Sequence, residues 1–299
     1  MSPSGPLLER DDLARGAELC RALGLEPRLA AHAGGRHGYL AGTDEERLAD
    51  LNAALLDDGV DAVWCLRGGY GMTRILDGVE WDALSRRPKA VLGYSDITSL
   101  VNAIPLRARG VAFHGPVART PLTEFSRRHL ERVLCGDAPA SFDLPPSPAG
   151  VLVPRENRVV TLVPGVAEGP LVGGNLTLLQ CLVGTPYQPE LDGAILFLED
   201  VNEDLYRVDR MLAHLRMAGL LARIAGAVIG RFTEMPRNTG DGAMGFDEVL
   251  ETYLSPLGIP VAYGLPIGHV DDQWTLPVGV RARWDAGTHS LTLLEPAVL

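Results

Sequence analysis

The sequence predicts an α/β protein: an amino-terminal parallel-sheet α/β domain followed by a smaller carboxyl-terminal α/β domain rich in strands. Three observations carry this. Two consecutive units of apolar strand, glycine turn and amphipathic helix fill residues 62 to 104, the grammar of a parallel sheet covered by helices. A proline-rich stretch then interrupts that grammar, and β signals dominate the end of the chain. The 299 residues, 46% of them hydrophobic and 22% charged, suffice for two medium-sized cores.

The elements follow in order. "DEERLADLNAALL" at 44 to 56 sets Leu48, Leu51, Leu55 and Leu56 at helical spacing, and "AVWCL" at 62 to 66 reads as a strand. After "RGGYG" at 67 to 71, Met72, Ile75, Leu76 and Val79 fall at i, i+3, i+4 and i+7, predicting a helix directly behind the glycines. "KAVLGYSD" repeats the strand and turn, and Ile97, Leu100, Val101 and Ile104 repeat the helical spacing. Residues 137 to 170 hold seven of the 22 prolines, which excludes one continuous helix or a central strand. The boundary is therefore set at residues 1–140 for the first domain, 141–165 for a linker and 166–299 for the second domain. That second domain offers the buried-strand pattern "GAILFLED" and a helix carrying Leu205, Val208, Leu212 and Leu215. "AGAVIG" and "IPVAYGLPIGH" follow, then a hairpin of "VRARW" and "HSLTLL" across "DAGT".

Composition narrows the function classes. A formal charge of −11 without any basic run argues against nucleic acid or an anionic membrane as partner, because both are bound through clustered Lys and Arg. No stretch approaches about 18 uncharged apolar residues, and "MSPSGPLLERDD" lacks the basic start and apolar core of a signal peptide, so a soluble cytoplasmic protein is expected. Cys20, Cys65, Cys135 and Cys181 form no CxxC pair and read as buried free thiols. No HExxH spacing occurs, and His32 with His37 is an i, i+5 pair that shares no helical face, so no metal is expected. "RGGYG" satisfies neither GxxxxGK[ST] nor GxGxxG, and no cofactor is expected either.

Three positions could carry chemistry. Ser95 lies where an apolar strand ends and an amphipathic helix begins, beside unpaired helix N–H groups that stabilise developing negative charge. Its context matches GxSxG at Gly93 but not at Ile97, and "SDIT" is equally the signature of an ordinary helix cap. A serine nucleophile needs a base, and the base an orienting carboxylate. His269 and His114 both follow apolar strands and adjoin glycine, and spacing does not separate them. Glu199 ends the strand "AILFLED"; Asp200, Glu203 and Asp204 are equally explained by a helix start, where the dipole favours acids. The glycines of "RGGYG" either bring main-chain N–H groups to an oxyanion or simply make a tight turn.

Taken together, "RGGYG" at 67 to 71, "GYSD" at 93 to 96, "GGNL" at 173 to 176, "FLED" at 197 to 200 and "GHVDDQWTLPVG" at 268 to 279 resemble the LD-carboxypeptidase family of serine peptidases. The resemblance runs from about residue 3 to the carboxyl terminus, with five blocks in order. It implies two domains with the site at their junction and a triad of Ser95 as nucleophile, Glu199 as orienting acid and His269 as base. Main-chain N–H groups of Asp96 and Gly69 match the oxyanion hole. The implied substrate is cytoplasmic murein tetrapeptide, cut between the L-centre of a diamino acid and terminal D-alanine, and the implied assembly a homodimer. Arg67 and Arg231 are candidates for the free carboxylate, and Gly68, Tyr70 and Asn175 for further substrate contacts. A related branch hydrolyses a peptidyl or aminoacyl nucleotide antibiotic, for which Trp274 would be the adenine-stacking candidate. A non-catalytic peptide-binding module is the reading from another class. Family members carry an apolar strand ahead of the "PSG" block, which here stands at residues 3 to 5, so the outer neighbour of the first sheet is in question.

Overall fold

Parallel strands β1 (Ala62–Trp64), β2 (Ala90–Gly93) and β3 (Ala112–His114) build the first sheet of the computed structural model, which describes residues 1–146, 158–236 and 244–298. Helices α1 (Asp12–Ala22), α2 (Asp44–Leu56), α3 (Trp81–Arg86) and α4 (Thr98–Ala108) belong to this half, with α5 (Glu124–Leu134) leading out of it. The chain then forms β4 (Ser141–Phe142), β5 (Val160–Val163), β6 (Val166–Asn175), α6 (Leu176–Leu182), β7 (Ile195–Val201), α7 (Leu205–Met217) and β8 (Gly226–Thr233). It finishes with α8 (Phe246–Leu254), β9 (Val261–Tyr263), β10 (Leu276–Val278), β11 (Arg281–Asp285) and β12 (Ser290–Leu293). The second sheet has eight strands in the order β4-β12-β11-β6-β7-β8-β9-β5, parallel from β6 to β9 and antiparallel at both flanks. Among the described residues no helix is long and apolar enough to cross a membrane.

Local rules account for much of this. Helix α2 begins at a capping box in which Thr43 Oγ1 accepts the Glu46 N–H (3.2 Å) and Glu46 Oε2 accepts the Thr43 N–H (2.8 Å). Leu51 and Leu55 turn inward while Leu56 stays exposed. The β11–β12 hairpin turns where Asp285 Oδ1 accepts the N–H groups of Gly287 (2.9 Å) and Thr288 (3.2 Å). The proline-rich stretch supplies the two edge strands of the second sheet, β4 and β5, but against expectation its last residues, Val166 to Pro170, open β6, a central strand that pairs there with β11.

Several expectations need correction. Residues 72–79 form two 3-10 turns, Met72–Arg74 and Leu76–Gly78, rather than one α-helix. All four apolar side chains are buried as the spacing required, but Gly78 and the extended Val79 end the coil after one turn each. One pairing crosses between the two halves of the chain. Strand β10, from the carboxyl-terminal half, closes the first sheet antiparallel to β3, with Pro277 opposite Phe113 on an edge strand. One core consequently joins Leu100 and Phe113 of the first half to Trp274, Leu276 and Trp284 of the second, while α6, α7 and α8 bury a separate core on the far face of the large sheet. Of the four free cysteines only Cys65 is buried; Cys135 ends α5 and Cys181 lies on the outer side of α6, both exposed. Outside β1, Met1 takes the neighbouring position, its carbonyl accepting the Leu66 N–H (2.8 Å) and its amine donating to the Trp64 carbonyl (3.1 Å).

The two sheets meet at α4. Asn102, buried in that helix, donates from Nδ2 to the Gly173 carbonyl (2.8 Å) and accepts the Gly173 N–H at Oδ1 (3.2 Å). Thr98 Oγ1 accepts the Asn175 N–H (3.0 Å). Replacing Asn102 by Ala strands both Gly173 groups, so Asn102→Ala is expected to destabilise the fold by about 3 kcal/mol. Urea unfolding should register this as a lower midpoint at unchanged slope.

Candidate active site

Strand β2 ends at Gly93, and the chain passes through Tyr94 into a 3-10 turn, Ser95–Ile97, before α4. Ser95 sits at φ +64°, a left-handed conformation that costs a non-glycine residue about 1–3 kcal/mol and marks a sharp strand-to-helix turn. The turn is possible because Gly68 lies against it. A Cβ on Gly68 would stand 2.7 Å from Ser95 Cβ and 3.0 Å from Ser95 Oγ. Neither Ser95 nor Asp96 caps α4 with its side chain. Asp96 Oδ2 instead accepts the Met72 N–H (2.8 Å), tying the glycine loop to the serine turn. Burial raises the Asp96 carboxyl above its ordinary value, against the hydrogen bond from the Met72 N–H and the charge of Arg47. The half-buried Ser95 hydroxyl has no hydrogen-bond partner among the described residues, so the capping alternative falls away.

A second group of residues comes from the large sheet. Glu199, near the end of β7, is wholly buried, and its Oε2 pairs with His269 Nδ1 at 2.8 Å. Contact this close requires Gly268, whose φ is +98° and whose Cβ would stand 2.3 Å from Glu199 Oε2. Burial pushes the Glu199 carboxyl up, opposed by the hydrogen bond and charge of His269. Burial also disfavours a charged His269, yet the Glu199 hydrogen bond and charge, with Asp200 and Glu234, outweigh it and raise the imidazole above its ordinary value. The His269 ring lies edge-on to Tyr94, 4.8 Å between centroids, which brings it to the residue preceding Ser95. Burial, then the Glu199 charge, pushes the Tyr94 phenol up to about 12, so it stays neutral.

His114 competes poorly. It is fully buried, packs edge-on against Phe197 (5.3 Å) and Tyr94 (6.1 Å), and neither ring nitrogen finds a partner among the described residues. Burial, then repulsion from His269, pulls its pKa down to about 3, and no carboxylate orients it. Tyr94 and Gly268, which shape the site, drew no attention in the sequence beyond standing inside quoted motifs; their roles depend on contacts with distant chain.

The remaining candidates divide. Arg67, Gly68 and Gly69 lie on the loop that meets the serine turn, and Tyr70 is half-exposed beside Tyr39 (5.5 Å). Arg231 stands in β8, its N–H donating to the Ile267 carbonyl (3.2 Å) and its Nε to the Gly264 carbonyl (3.3 Å), near the His269 loop. Asn175 is corrected from substrate contact to support. It is 3% exposed, caps α6 by accepting the Leu178 N–H (3.2 Å) and donates to Asp200 Oδ1 (2.8 Å). Asp200 in turn starts no helix of its own; its Oδ2 accepts the Thr177 N–H and hydroxyl (both 2.9 Å). Trp274 is corrected likewise, because it is entirely buried with Nε1 donating to the Asp143 carbonyl (2.7 Å) and cannot stack on a ligand. Among the described residues no three His, Cys, Asp or Glu side chains cluster to hold a metal.

An unpartnered serine on a strained strand-end turn, close to a buried carboxylate–imidazole pair, is equipped for nucleophilic chemistry. Comparison with known proteins shows the family. The family models for the LD-carboxypeptidase N-terminal and C-terminal domains match residues 1–115 and 168–284. A probable murein peptide carboxypeptidase of Bacillus subtilis is 38% identical, over 87% of this chain and 80% of its own. The crystal structure of muramoyltetrapeptide carboxypeptidase from Oxalobacter formigenes superposes with a TM-score of 0.82 at 33% identity, covering 98% of this chain and 96% of that one. The microcin C7 self-immunity protein MccF shares the fold, with a TM-score of 0.89 at 24% identity over 100% of this chain and 96% of its own. The chain belongs to the LD-carboxypeptidase family.

Proposed function

We propose that the protein is a serine LD-carboxypeptidase that removes terminal D-alanine from cytoplasmic murein tetrapeptide during cell-wall recycling. The observation that carries this reading is the buried Glu199–His269 pair beside the strained, unpartnered Ser95. Names of the Bacillus subtilis and Oxalobacter formigenes relatives, both murein peptide carboxypeptidases, supply the substrate class.

In the proposed reaction Ser95 Oγ attacks the carbonyl preceding D-alanine while His269 Nε2 takes the hydroxyl proton. Glu199, hydrogen-bonded to Nδ1, holds the tautomer and stabilises the imidazolium without taking the proton itself. The tetrahedral oxyanion is received by the N–H groups of Asp96 and Gly69, an interaction whose loss typically raises a barrier by about 3 kcal/mol. Collapse breaks the C–N bond, and His269 returns its proton to the departing amine of D-alanine. Water then attacks the acyl carbon and gives a proton to His269, which returns it to Ser95 Oγ as the ester C–O bond breaks and the shortened peptide leaves with a new carboxyl group. The assembly is proposed to be a homodimer.

The likeness to MccF supports a second substrate class, a peptidyl nucleotide, without favouring it, since that similarity reaches the fold alone. Incubation with murein tetrapeptide and, separately, with a peptidyl adenylate distinguishes the two by release of D-alanine or of nucleotide. D-alanine is expected; release of neither would sink both enzyme readings. Ser95→Ala and His269→Ala should each lower kcat by about ten-thousand-fold, whereas His114→Gln should keep most activity. Equal activity in Ser95→Ala removes the serine from the mechanism.

The pH profile follows from the sign of the His269 shift. Because the base must be neutral and its pKa is raised, kcat/KM should climb with pH through an ionisation above the ordinary imidazole value of about 6.5. Glu199→Gln removes the charge that raises it but not the burial that lowers it, so the acid limb should move to lower pH while kcat falls. An acid limb that stays in place would contradict the pairing.

A further inference from the structure

Three guanidinium groups gather beside the serine turn in a chain whose formal charge is −11. The segment after β3 runs along the exit of β1: the Ala118 N–H donates to the Cys65 carbonyl (2.9 Å), and Trp64 Nε1 to the Pro116 carbonyl (2.7 Å). Arg119 and Arg67 therefore leave the end of the sheet side by side. The loop ahead of α1 links them to the site. Its Gly5 N–H donates to the Gly68 carbonyl (2.9 Å), the Pro6 carbonyl accepts Arg67 Nη1 (2.5 Å), and the Leu7 carbonyl accepts Arg36 Nη2 (2.8 Å). The buried Asp12 offsets part of this charge, standing 4.0 Å from Arg119 Nη1. Burial, then repulsion from Arg119 and Arg36, pulls the Arg67 guanidinium below its ordinary value, as expected where positive charges lack enough counter-charge.

Arg119 is the least engaged of the three. Its Nε is buried without a partner among the described residues, and its ion pair with Asp12 is long. The guanidinium as a whole is about a quarter exposed and, among the described residues, held only by that long pair, and its planar fork of donors suits a carboxylate. Arg67 belongs to the glycine loop whose Gly68 lies against Ser95, and the charge of Arg119 acts on Tyr94, the residue before the serine, so the cluster borders the serine turn. In an exopeptidase the anionic group next to the scissile bond is the free carboxylate of the residue being released. We infer that Arg119, with Arg67 beside it, forms the anion subsite that takes the carboxyl-terminal carboxylate of the substrate. This rests on the carboxypeptidase reading above and makes Arg119, which had no motif around it, a specificity-determining residue.

The test uses the full chain with Ser95→Ala, which binds without turnover, and calorimetric titration with murein tetrapeptide and with its carboxyl-terminal carboxamide. The free carboxylate should bind about 10- to 100-fold more tightly. Adding Arg119→Ala should abolish that preference while leaving carboxamide affinity unchanged, and Arg119→Lys should restore part of it; the carboxamide affinity also reports that the variants fold. An intact preference in Arg119→Ala, or no preference in the parent protein, overturns the subsite. Release of D-alanine by the Ser95 enzyme is scored separately, so the peptidase reading can stand while the subsite fails. No binding of either peptide together with no D-alanine release overturns both.

Discussion

A carboxylate with no access to water must be met by a donor, and the pairing of Glu199 with His269 is how this protein meets that demand. Glu199 is carried to the site by a strand whose residues from Ile195 to Asp200 are all buried, so its position is as rigid as the large sheet. His269 reaches it only because Gly268 lets the main chain lie on the acid. The pair therefore couples the proton affinity of the imidazole to the packing of the core. Removing His269 would leave Glu199 buried without its charge complement, a change that typically costs about 3–5 kcal/mol.

The serine arrives from the other sheet. Its turn is held from below by α4, from the side by Gly68 and through Asp96 by the start of the Met72 turn. Helix α4 is also the part of the first half that grips the second, through Asn102 on Gly173 and Thr98 on Asn175. Asn175 then holds Asp200, the neighbour of Glu199. A short chain of buried hydrogen bonds thus runs from the serine helix to the acid strand. Strand β10 completes the arrangement by carrying the segment after His269 back into the first sheet. The site lies across two sheets that share one core rather than between two independent domains.

Where a structural rule acts over four residues or fewer, it was legible. Helix α2 matches the stretch from Asp44 to Leu56 because capping box and leucine spacing are both local, and the hairpin at "DAGT" follows from Asp285 and Gly287. The helix expected at residues 72 to 79 had the correct buried face but the wrong coil, since apolar spacing constrains which side chains turn inward and not which backbone achieves it. That β10 closes the first sheet was not legible, because it pairs with a strand about 160 residues away and nothing in "TLPVG" announces that partner.

The residue types that the chemistry needs, and their positions at strand ends, were determined by the sequence alone, as was the order of the five blocks that mark the family. Tertiary structure decided among equals. His269 and His114 have the same local surroundings, yet one meets a carboxylate and the other is sealed among Tyr94 and Phe197 with its pKa held near 3. Ser95 looked like a cap until the fold gave it a positive φ and no N–H to receive. Trp274 and Asn175 looked available until packing enclosed them, and Arg119 gained significance only from what stands around it. The reason is common to all of them: burial, charge and hydrogen-bond partnership are set by chain that is distant in sequence, and periodicity over a few residues carries no record of it.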